Sequence, residues 1–219
     1  MISAAALPLF IALFAGQADA GPGHNHGQDA SPPPAAKQED FGGIKIGEAA
    51  PAFALPNLAG ETVELSDHKG KVVVLEWFNP GCPFVKQAHE NGGALQTMAV
   101  KWAEKGVVWL AINSGAPGKQ GTGVDTNQAA KASWSMDHAV LLDEDGTVGR
   151  AYSAKTTPQM VVIDESGNQV YNGALDNAPF GRVKGDSLTP FTAEVVAAVV
   201  AGKESPHKRT KPYGCSVKY

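Results

Sequence analysis

Apolar residues occupy every position but one from Val72 to Phe78, and the exception is Glu76. A run this short, rich in β-branched and aromatic residues, predicts a strand buried on both faces. Asn79-Pro80-Gly81 ends it as a turn cluster, and Cys82-Pro83 follows. Proline suits the first position of a helix, so the pattern predicts a helix from about Pro83 to Glu104 with Gly106 as its C-cap and Cys82 as its N-cap. A second apolar run from Gly106 to Asn113 then predicts another buried strand, and the intervening helix makes the two strands parallel.

The remaining pattern continues the alternation. Ala50 to Leu65 predicts an N-terminal β-hairpin, and Ser66 to Gly70 a short helical turn. Asp125 is placed as the cap of a helix reaching about Met136, followed by a short strand at Ala139–Leu142 and a short helix at Gly146–Ala154. Thr156 to Asp164 predicts a strand with proline at its head, turning at Glu165–Asn168 into Gln169–Gly173. Leu175 to Leu188 is polar loop. Thr189-Pro190 opens the last helix, with Val195, Val196, Val199 and Val200 spaced for one buried face.

The ends of the chain differ from this domain. Ile2 to Ala15 is apolar but too short to span a bilayer, and Ala18-Asp19-Ala20 supplies a small-x-small cleavage signal. Residues 1–20 therefore predict a signal peptide cut before Gly21, with export to the periplasm or beyond and no stable membrane span after processing. Residues 21–43, with Pro32-Pro33-Pro34 and few large apolar residues, read as a disordered linker. His24 and His26 in that linker are two histidines, which do not close a metal site. The folded domain is placed at 44–202, and 203–219 is a basic tail without periodicity that carries Cys215.

Composition narrows the class. A chain of 219 residues, 43% hydrophobic with net charge −4, suits one ordinary domain and argues against a nucleic-acid partner. The loop Ser114 to Gly123 is glycine-rich but lacks the spacing and the hydroxyl of a phosphate cradle.

Cys82 is the first candidate for chemistry. A helix N-terminus offers unpaired N–H groups and positive potential, both of which favour the thiolate, the nucleophilic form. Lys86 adds a positive charge one turn on. The alternative for a lone cysteine is an inert buried thiol.

The segment from Val72 to Lys86, with Asn79-Pro80-Gly81-Cys82-Pro83-Phe84-Val85, resembles the active-site segment of thioredoxin-like redoxins. It is similar in particular to peroxiredoxin-like redoxins related to the alkyl hydroperoxide reductase/thiol-specific antioxidant family. Members often end in Gly-Cys-Ser-x-Lys, which stands here as Gly214-Cys215-Ser216-Val217-Lys218. Two departures stand out. Val85 replaces the second cysteine of thioredoxin, and Asn79 and Leu75 break the Pro-x-x-x-Thr-x-x-Cys pattern of true peroxiredoxins.

The resemblance implies a thioredoxin-like α/β fold with a central mixed β-sheet flanked by helices. It implies an exported thiol-dependent oxidoreductase with Cys82 attacking a peroxide or disulfide, and Cys215 as the resolving thiol brought in by a flexible tail. A structural Cys82–Cys215 staple is the alternative. Pro158 is implied to be the cis proline facing the nucleophile, and Glu76 the buried acid that takes up and returns a proton. Strand alternation turning Glu76 to a polar edge is the other reading. His89 is expected as an exposed helix residue. The implied partners are a peroxide or disulfide substrate and a thiol reductant, with no cofactor. Disulfide exchange on protein substrates and a non-catalytic binding module on the same fold are the rival functions. Copper-delivering relatives need a Cys-x-x-x-Cys pair, and Lys86 occupies the second place here.

Overall fold

The computed structural model describes residues 45–183 and 187–219. The expected signal peptide, the linker and its two histidines lie outside the described residues. In chain order come β1 (Ala54–Pro56), β2 (Thr62–Glu64), β3 (Val73–Trp77), α1 (Pro83–His89), α2 (Ala94–Ala103), β4 (Val108–Asn113) and α3 (Val124–Ser133). They are followed by β5 (Ala139–Leu142), α4 (Thr147–Ala151), β6 (Thr156–Thr157), β7 (Gln159–Ile163), β8 (Gln169–Gly173), α5 (Phe191–Val200) and β9 (Cys215–Ser216).

The main sheet has the order β5-β4-β3-β7-β8. β3 runs parallel to β4 and antiparallel to β7, so the sheet is mixed and β3 is central. All five β3 residues are buried, as a strand covered on both faces requires. Val72 and Val74 pack with Leu95, Met98 and Trp102 of α2 and with Val195 and Val196 of α5. On the other face, Val73, Leu75 and Trp77 pack with Phe53 and Leu55 of the N-terminal hairpin and with Val148 and Tyr152 around α4. This is a thioredoxin-like fold with a small N-terminal hairpin.

Three expectations need correction. The single helix from Pro83 to Glu104 is two, because Asn91 and Gly92 adopt left-handed backbone at φ 53° and 77° and stop α1. Asp125 does not cap α3; Gly123 holds the N-cap and Asp125 lies in the first turn. His89 is not exposed: it closes α1 with no accessible surface, on the face that also buries Cys82 and Val85.

The tail is not a loose end either. Residues 203–219 run back across the domain and tie down at several points. Asn172 N donates to Lys208 O at 3.2 Å, and Thr210 Oγ1 accepts from Ala174 N at 2.8 Å. Val217 packs against the core of the hairpin face, and Tyr219 OH donates to Ala154 O at 2.8 Å. Arg150 lies 4.3 Å over the Tyr219 ring.

Candidate functional site

Cys82 stands at the carboxyl end of β3, where Asn79, Pro80 and Gly81 turn the chain into α1. Asn79 makes the turn: its Oδ1 accepts from Gly81 N at 2.7 Å, and Cys82 N donates to Asn79 O at 3.0 Å. The loop after β4 braces it, with Asn79 Nδ2 donating to Gln120 O at 2.9 Å and Gln120 Nε2 to Gly81 O at 3.0 Å. Cys82 has extended backbone (φ −84°, ψ 122°) and Pro83 opens the helix, the N-cap geometry expected from the sequence. Its carbonyl accepts the first intrahelical bond, from Lys86 N at 2.9 Å.

Two elements distant in sequence converge on the sulfur. The Thr157–Pro158 bond is cis, and Cys82 Sγ lies 3.1 Å from Thr157 O. β9 pairs antiparallel with β6, setting Cys215 directly opposite Thr157 and Ser216 opposite Thr156. The two cysteines are both free thiols, and Cys215 packs against the buried cluster that holds Cys82. Gly214 is what lets the strand lie so close: a Cβ there would stand 2.0 Å from Thr157 O.

The environment separates the two thiols. Burial alone would raise the Cys82 pKa, but the neighbouring Cys215 and the backbone N–H of Val85 outweigh it, so the value is lowered. Cys215 moves the other way, pushed up to about 11 by burial and by the neighbouring Cys82. The pair is therefore polarised, with Cys82 the more acidic member.

Beneath Cys82 lies a buried polar cluster that the sequence only half revealed. Glu76 has no exposed surface, so it is not turned to a polar edge. Its Oε1 is 2.7 Å from His89 Nε2, and its Oε2 accepts from Trp109 Nε1 at 3.0 Å. Burial opposes the charged carboxylate, but the charge and hydrogen bond of His89 prevail and hold the Glu76 pKa below its ordinary value. The His89 ring stacks on Trp134 at 5.2 Å and meets Phe78 edge-on at 5.8 Å. His138 completes the group, held neutral by burial with its pKa down to about 4. The signal for His89 was present: Cys82, Val85 and His89 follow i, i+3, i+7 spacing, the signature of one helix face.

Of the residues singled out from the sequence, the structure brings Cys82, Cys215 and Pro158 together at one point. Glu76 sits below them, its two oxygens turned to His89 and Trp109.

The profile of the AhpC/TSA family matches residues 46–171, more than half of the chain. The chain belongs to this family. It is similar to thiol-disulfide oxidoreductase ResA of Bacillus thuringiensis, 26% identical over 130 residues that cover 58% of this chain and 68% of the relative. A putative peroxiredoxin, bcp, of Coxiella burnetii is 31% identical over 113 residues, covering 50% of this chain and 66% of that one. Among solved structures, a hypothetical protein of Sinorhizobium meliloti matches with TM-score 0.71 at 27% identity, over 81% of this chain and 96% of that one. The chain is a thiol-dependent oxidoreductase of the thioredoxin-like redoxins.

Proposed function

We propose that the protein is an exported peroxide-reducing redoxin in which Cys82 attacks and Cys215 resolves. The observation that carries this reading is Cys215, packed on the cluster that buries Cys82 and held there by a strand paired with β6. The Cys82 thiolate attacks a peroxide oxygen; an S–O bond forms, the O–O bond breaks, and the leaving oxygen takes a proton from solvent. Sulfur is now a sulfenic acid, oxidised by the electron pair that the peroxide has gained. Cys215 attacks that sulfur, an S–S bond forms, and water leaves. An external thiol reductant restores both thiols by exchange.

Pro158 and Thr157 form the wall against which the sulfur is held. The proton relay implied for Glu76 is not part of this reading: its lowered pKa and the engagement of both its oxygens by His89 and Trp109 suit a fixed carboxylate that anchors α1 to β3. The domain bounds carry over into this proposal: signal peptide at 1–20, linker at 21–43, redoxin domain at 44–202 and the Cys215-bearing tail at 203–219. Among the described residues no helix is long and apolar enough to cross a membrane. Export rests on the apolar start and Ala18-Asp19-Ala20, and a native N-terminus at Gly21 by mass spectrometry is the expected result.

The second reading is thiol–disulfide exchange with protein substrates, favoured by the similarity to ResA. One comparison separates the two. Purified protein with dithiothreitol should consume hydrogen peroxide, and Cys82→Ser should abolish the consumption. Reduction of a protein disulfide with no peroxide turnover would favour exchange instead.

A further inference from the structure

Cys82 has no accessible surface, although it is the more acidic thiol. Among the residues packed on its cluster is Cys215, carried by the strap of residues 213–219 opposite the Thr157 carbonyl that touches the sulfur, and the strap is held unevenly. Over the sulfur itself the attachment is a two-residue ladder, Thr156 with Ser216 and Thr157 with Cys215. Side-chain and backbone anchors flank that ladder. On one side, Tyr213 OH donates to Asp176 Oδ1 at 2.6 Å. On the other, Val217 N donates to Lys155 O at 3.0 Å, and Ala116 N to Lys218 O at 2.8 Å. Tyr219 then donates to Ala154 O at 2.8 Å, with Arg150 stacked on its ring at 4.3 Å.

We propose that this strap is a size filter over Cys82, admitting small peroxides and excluding bulky hydroperoxides and protein disulfides. A two-residue ladder opens locally at low cost, and a brief separation is enough for a molecule little larger than water. A bulky oxidant needs the strap displaced further, which requires the Tyr219 or Tyr213 anchor to let go. Tyr219 is thus a specificity-determining residue that touches neither sulfur. The proposal rests on Cys82 being the attacking thiol and adds the class of oxidant that reaches it.

The test uses Cys215→Ala protein, in which Cys82 is the sole thiol of the chain. Loss of the Cys82 thiol is timed with hydrogen peroxide, cumene hydroperoxide and an aromatic disulfide, before and after adding Tyr219→Ala. Losing an anchor that combines a hydrogen bond with a stacked cation should speed the two bulky reagents by about tenfold. Hydrogen peroxide should change by less than about threefold, because its entry uses only the ladder. Equal acceleration of all three reagents, or of none, overturns the filter. Gly214→Ala gives an independent variant, since its Cβ would press on Thr157 O and lift the ladder itself. That variant should speed all three reagents, and an unchanged hydrogen peroxide rate would also count against the proposal. If neither peroxide consumes Cys82 in any background, the peroxidase reading fails, while the disulfide rates still decide the filter.

Discussion

Nε2 of His89 lies 2.7 Å from Oε1 of Glu76, and neither side chain has any accessible surface. The contact fastens α1, the helix that begins at Cys82, to the central strand β3. A buried pair of this kind need not add much net stability, but removing one partner leaves the other uncompensated in the core.

His89→Ala should therefore cost about 3 kcal/mol or more, as expected for stripping one member from a buried pair. Urea unfolding read by tryptophan fluorescence measures it. A loss below about 1 kcal/mol would mean that Glu76 is neutral or finds another partner.

His138 makes stability depend on pH. Its pKa is about 4 in the folded chain against 6.5 ordinarily, with burial as the main cause. As pH falls from 6.5 towards 4, the unfolded chain takes up a proton that the folded chain refuses, so stability declines across that window. The decline is on the order of 3 kcal/mol, and His138→Gln should flatten it. Glu76 acts lower: its pKa is depressed from 4.5, so its contribution is present above that pH and lost as pH falls through the folded value. Unfolding free energies measured from pH 7 down to about pH 3 check both signs, and a His138→Gln curve as steep as wild type between pH 6.5 and pH 4 would contradict the assignment.

The acidity of Cys82 gives a third outcome. Its titration, followed by the rate of alkylation, should have a midpoint below the roughly 8.5 of a free thiol. Cys215→Ala removes the neighbouring thiol that lowers the Cys82 pKa and should raise that midpoint. A midpoint unchanged by Cys215→Ala would assign the acidity to the N-terminus of α1 alone.

Much of this arrangement was legible in the sequence because short-range rules governed it. The apolar run into Asn79-Pro80-Gly81-Cys82-Pro83 specifies strand, turn and helix start, and the structure follows it in that order, with the strand one residue shorter at each end and the helix starting at Pro83. Parallel β3 and β4 follow from the helical crossover between them. The break between α1 and α2 was also written there, in Asn91-Gly92-Gly93, but the helical pattern on both sides masks it. The tail was illegible for a physical reason. Its hold on the domain comes from irregularly spaced side chains, Thr210, Tyr213, Val217 and Tyr219, which produce no period in hydrophobicity. The partners of Glu76 were hidden likewise, since Trp109 and His138 reach it from β4 and from the loop after α3.

The central claim is that Cys82 and Cys215 act as one redox pair. Mild hydrogen peroxide treatment of reduced protein, followed by alkylation and peptide mapping, tests it most directly. The account predicts an intramolecular Cys82–Cys215 disulfide that dithiothreitol reverses. Cys215 left free while Cys82 is sulfenylated, or bridged to a second chain, would contradict it.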